Sequence, residues 1–124
     1  MRRNGRRAGR AMTAATVLLM LGAAPAAAEF AIAFNPQTGR STASNVSWDG
    51  NVSRREALSS CGSGCQIVAS GKGTCAALVE SVRTGGSVWA VGYGTTTSVA
   101  ANQGWHACRQ KSGVNCNTAQ SICD

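Results

Sequence analysis

Phe30-Ala31-Ile32-Ala33-Phe34 is an unbroken apolar run, and Asn35-Pro36-Gln37-Thr38-Gly39 follows it with turn chemistry. Proline presets the backbone at one turn position, and glycine supplies the left-handed conformation at another. Ser41 to Ser47 alternates weakly and reads as a strand pairing back on the first. A helix follows. Ser53-Arg54-Arg55-Glu56 has the S-x-x-E form of a capping box, in which the serine oxygen takes a free N–H and the glutamate reaches back. An earlier start, near Ser47 or Asp49, is the alternative. Ala57, Leu58 and Cys61 form the apolar stripe, Gly62 ends the helix, and Gln66-Ile67-Val68-Ala69 is a third strand.

The same order returns from Cys75. Ala76-Ala77-Leu78-Val79 matches the first run, and Thr84-Gly85-Gly86 matches the Thr38-Gly39 turn. Ser87 to Tyr93 is the hairpin partner. Thr97 or Ser98 caps a second helix, with Ala100, Ala101, Gly104, Trp105 and Cys108 at helical spacing. Thr118 to Ile122 is the last strand. The cysteines keep step, with Cys61 answering Cys108, Cys65 answering Cys116 and Cys75 answering Cys123. The expected fold is α+β: two similar strand-strand-helix-strand halves, 29–74 and 75–124, forming one antiparallel or mixed sheet with two helices packed on it. Gly71-Lys72-Gly73-Thr74 lacks the glycine spacing of a phosphate loop and reads as a hairpin turn.

Ahead of this domain, residues 1–28 read as a signal peptide. Arg2, Arg3, Arg6, Arg7 and Arg10 precede an apolar stretch from Ala14 to Ala24, and Ala26-Ala27-Ala28 gives a small-residue cleavage site. The apolar stretch is about eleven residues, against the roughly 20 that span a bilayer. No membrane span is expected after cleavage. The signal also carries most of the charge. The full chain is +7, but residues 29–124 hold seven basic and five acidic residues, a net +2. The basic character that would suggest a nucleic-acid partner therefore leaves with the signal. The expected location is secreted or periplasmic.

The run Phe30-Ala31-Ile32-Ala33, then Thr38-Gly39, Glu56-Ala57-Leu58-Ser59-Ser60-Cys61, Gly64-Cys65-Gln66-Ile67-Val68, Cys75-Ala76-Ala77-Leu78, Trp89-Ala90-Val91-Gly92, Ala107-Cys108, Cys116 and Cys123 resembles the bacterial exported family called domain of unknown function 4189. The resemblance implies a fold and an address, and supplies no catalytic residue. The chain departs from the family pattern at Ser53, where a small apolar residue is more usual, and at Gly104, where alanine is. Glycine there weakens a helix by about 1 kcal/mol.

Six cysteines, Cys61, Cys65, Cys75, Cys108, Cys116 and Cys123, form an even set in a short exported chain and read as three disulfides. They allow fifteen pairings. The two-half pattern favours Cys61–Cys65, Cys108–Cys116 and Cys75–Cys123. Pairings such as Cys65–Cys75 or Cys61–Cys108 stay open.

Paired cysteines argue against zinc, and the spacings are not those of a zinc knuckle or ribbon. They also leave no thiolate for a Cys–His nucleophile with His106, the only histidine. Asp49, Glu56 and Glu80 are the interior acids that would orient His106, but no nucleophile elbow accompanies them. No cofactor is expected. Trp89 reads as core, Trp105 as partly core at the position of Leu58, and Trp48 as a loop aromatic. Trp48 and Tyr93 are the candidate partner-binding residues. The functional expectation is a non-enzymatic binding or interaction module outside the cytoplasm. Its partner would be an extracellular or periplasmic protein or an envelope component. The alternatives are an inhibitor or immunity-type partner of an envelope hydrolase, and a small secreted hydrolase.

Overall fold

The structure is a computed structural model that describes residues 28–83 and 86–124, leaving aside the side chains of 82–87. The signal-peptide segment and the Thr84-Gly85 turn lie outside the described residues.

The elements are β1 (Glu29–Phe34), β2 (Ser41–Ser47), α1 (Gly50–Cys61), β3 (Gln66–Gly71), β4 (Cys75–Arg83), β5 (Gly86–Gly94), α2 (Thr97–Gln110) and β6 (Asn117–Cys123). They form two three-stranded antiparallel sheets, ordered β2-β1-β3 and β5-β4-β6. The α+β class and the two packed helices stand. The single sheet does not, and the reason is edge pairing. β1 and β4 are each flanked on both sides by strands of their own half, so neither has a free edge to offer the other.

The halves meet face to face instead. Phe30, Ile32 and Phe34 of β1 point inward and pack with Ala76 and Leu78 of β4, joined by Trp89, Val91 and Ile122. The alternate residues point outward. Ala31 and Ala33 lie under Ala57 and Cys61 of α1, while Ala77 and Val79 lie under α2. Side chains alternate across a strand. The large residues therefore fill the space between the sheets, and the small ones let helices approach the outer faces. The result is four layers, helix, sheet, sheet, helix. Every residue from Phe30 to Phe34 is fully buried, which is why β1 reads as continuously apolar rather than alternating. Each large inward side chain stabilises by about 1.5–3 kcal/mol on burial.

The likeness of the halves is carried by the register. β3 shifts against β1 between Ile32 and Ala33, and β6 shifts against β4 between Leu78 and Val79. These are equivalent places. By the same register Cys75 occupies the position that Glu29 has in the first half, so it does not answer Cys123. Gly71-Lys72-Gly73-Thr74 is not a hairpin turn either. It carries the chain from β3 in one sheet to β4 in the other, and the Gly73 N–H donates to the Asp124 carboxylate there.

The first helix starts earlier than the capping box suggests. Asp49 is its N-cap and accepts from the Asn51 N–H at 2.9 Å. Ser53 is buried inside the helix, where its hydroxyl donates to the Glu29 carbonyl at 2.6 Å. The S-x-x-E pattern matched by composition, but Asp49 lies one turn upstream and caps first. Gly62 stops the helix at φ 96°, a conformation that a Cβ disfavours. The second helix is capped by Thr96, whose hydroxyl accepts from the Val99 N–H at 3.1 Å.

Candidate functional site

Three disulfides fix the frame: Cys61–Cys65, Cys108–Cys116 and Cys75–Cys123. Each of the first two ties the end of a helix to the strand or loop that follows. The third clamps the start of β4 to the end of β6, residues already opposite each other in the ladder. No cysteine is left free among the described residues.

α2 lies very close to its sheet because glycine faces glycine. A Cβ on Gly92 of β5 would stand 2.1 Å from the Ala100 carbonyl oxygen and 2.2 Å from the Gly104 nitrogen. Gly104 is equally confined, since a Cβ there would stand 2.7 Å from Val79 Cγ2. The residue that costs helix propensity thus admits the helix to the sheet. Ala100, Gly104 and Cys108 make the buried face of α2.

On the flank of the same helix, Ser98, Ala101, Asn102 and Trp105 line a groove of about 490 Å³, closed on its other side by Thr118 of β6. Trp105 is 39% exposed. The Arg109 guanidinium lies over one face of its ring, 5.1 Å from the centroid, and the His106 ring meets it edge-on at 5.1 Å. Neither Arg109 nor His106 lines the groove.

The first half carries aliphatic side chains at the equivalent positions. Ile67 faces Ala33 as Thr118 faces Val79, and Leu58 precedes Cys61 as Trp105 precedes Cys108. Leu58 and Ile67 each pack against the cluster of Ala31, Ala33, Ala57 and Cys61. Tryptophan and threonine take the places of that aliphatic pair in the second half.

A second hollow of about 260 Å³ is lined by Glu80, Asn115, Asn117, Thr118 and Ala119. Burial pushes the Glu80 carboxyl above its ordinary value. Its Oε2 is buried with no hydrogen-bond partner in the protein. Gly39, at φ 76°, makes room for this carboxylate, since a Cβ there would lie 3.3 Å from Glu80 Oε1. Asn115 holds a left-handed φ of 53° at the rim, and Ser81 donates to the Val114 carbonyl beneath.

Trp48 is 71% exposed and Tyr93 46%. They stand on different sheets, Trp48 just past β2 and Tyr93 in β5, and no aromatic ring contact among the described residues joins them. Neither lines either hollow. Trp89 is core, edge-on to Phe34 at 5.4 Å, with Lys111 over its ring. His106 is exposed on α2 beside Trp105. Of the acids expected to orient it, Asp49 caps α1, Glu56 is exposed on α1 and Glu80 lines the second hollow. Trp105 is the residue the sequence reading undervalued. Its signal was the paired change, tryptophan for Leu58 together with threonine for Ile67.

A disulfide-stapled four-layer α+β domain with a groove along the flank of its second helix is the class that these features define. The family model described as "Domain of unknown function (DUF4189)" matches residues 30–123, so the chain belongs to that family. No curated protein and no solved structure matches the chain.

Proposed function

We propose that the chain is an exported, non-enzymatic binding module that meets its ligand or partner through the groove between α2 and β6. One observation carries this reading: a groove lined by the partly exposed Trp105 and by small polar side chains, at positions where the first half has the aliphatic Leu58 and Ile67 packed against its core. An aromatic ring ringed by a few polar side chains in a concavity is the common form of a recognition site. Six cysteines spent on three disulfides support an oxidising address. Among the described residues no helix is long and apolar enough to cross a membrane. Among the described residues His106 has an aromatic neighbour and no hydrogen bond to an acid, which favours binding over hydrolysis.

The test is capture from envelope extract by oxidised protein, run beside Trp105→Ala and beside reduced protein. Capture of one defined component that is lost in both controls supports the reading. Turnover of peptidoglycan or ester substrates by the purified protein refutes it. The address is checked by N-terminal sequencing of protein recovered outside the cytoplasm, which should begin at or close to Glu29.

A further inference from the structure

We propose that the α2–β6 groove is a saccharide-binding site, with Trp105 as its stacking platform and Thr118 as its opposite wall. The inference rests on the binding reading above and names the ligand class.

The chemistry of the lining selects the class. A sugar ring has an apolar C–H face and a rim of hydroxyls that each donate and accept. The groove offers the counterpart of both. The indole of Trp105 is a flat apolar surface, and Ser98, Asn102 and Thr118 surround it with side chains that also donate and accept. None of the five lining residues is charged, so the groove has no ionic partner to select. Its volume of about 490 Å³ falls within the roughly 300–1,000 Å³ of small-molecule sites. A protein-docking hot spot would differ, since such anchors cluster with other large side chains that exclude water. Here the tryptophan stands among small polar residues.

The first half supplies an internal control. Its equivalent positions carry Arg54, Arg55, Leu58 and Ile67, so it has no aromatic platform there.

Isothermal titration tests the proposal with three probes: tetramers of N-acetylglucosamine, of glucose and of galacturonate. At least one tetramer should bind. Trp105→Ala should weaken binding by about tenfold or more. Thr118→Ile, which installs the first half's residue and suits a strand, should do the same while leaving the unfolding midpoint unchanged. Absence of binding by all three tetramers at millimolar concentration overturns the proposal, as does binding that survives both substitutions. If envelope capture still requires Trp105 while no tetramer binds, the saccharide class is wrong and the binding module stands. If neither depends on Trp105, both readings fall.

Discussion

Gly92→Ala is the most decisive single-atom perturbation of this fold. The added Cβ would stand 2.1 Å from the Ala100 carbonyl oxygen, 2.2 Å from the Gly104 nitrogen and 2.9 Å from the Gln103 carbonyl carbon. All three are backbone atoms of α2, so no rotamer change relieves the contact. The helix must move off the sheet by about 1 Å to restore ordinary separation, and interiors packed at crystal-like density do not yield that distance freely. Such a shift loosens Ala77, Val79, Ala100 and Cys108, which are all fully buried. Overpacking by one methyl costs about 1–3 kcal/mol, and the rigid neighbours put this case at the top of the range or beyond. At roughly 4–8 °C per kcal/mol for a domain of this size, a loss of about 3 kcal/mol lowers the Tm by roughly 12–24 °C. Thermal unfolding of the oxidised protein followed by far-UV circular dichroism reads it. The first half gives the contrast. Ser44 faces Ala31 as Gly92 faces Ala77, and its buried hydroxyl has no partner. Ser44→Ala should therefore leave Tm unchanged or raise it by the equivalent of up to about 1 kcal/mol. A Gly92→Ala Tm within about 2 °C of the parent protein would refute the glycine-on-glycine seating of α2.

Asp49→Ala should destabilise by about 1 kcal/mol through loss of the α1 N-cap, while Glu56→Ala, exposed in the second turn, should be near neutral; denaturant midpoints separate the two. Removing the Cys75–Cys123 pair by double substitution to alanine should cost about 4 kcal/mol on chain-entropy grounds, against about 2 for Cys61–Cys65 and about 2.6 for Cys108–Cys116, because its loop is far longer; urea unfolding of the three double variants tests the order. Glu80 has a pKa raised by burial in the folded state, so the native protein holds its proton where the unfolded chain has released it. Stability should accordingly fall as pH rises from about 4.5 toward neutrality. Glu80→Gln should flatten that part of the Tm–pH curve and raise Tm at pH 7.

The elements were legible because turn chemistry brackets them. Asn35 to Gly39, Gly62 and the glycines around Lys72 punctuate the chain where the strands and helix end. The two short disulfides were legible from the two-half order, while Cys75–Cys123 was reached as the remaining pair although its cysteines are not equivalent positions. The single sheet was not a sound reading, since sequence reports which strands are apolar but not which edges are already taken. The alternation of Phe30, Ile32 and Phe34 with Ala31 and Ala33 holds the missing information: large side chains on one face, helix-sized gaps on the other. The S-x-x-E motif misplaced the start of α1 because Ser53 is needed inside, bonded to the Glu29 carbonyl. The groove was half legible. Trp105 aligned with Leu58 in sequence, and its exposure depends on Thr118, a residue more than ten positions away on another element.

The most direct test of the binding surface is a nitrogen-15 NMR titration that watches the three tryptophan indole signals while envelope material is added. Trp48, Trp89 and Trp105 report a loop, the core and the groove in one spectrum. Binding through the groove shifts or broadens the Trp105 signal and leaves those of Trp48 and Trp89 in place. A response confined to Trp48, with Trp105 unmoved, would contradict the assignment of the α2–β6 groove as the site.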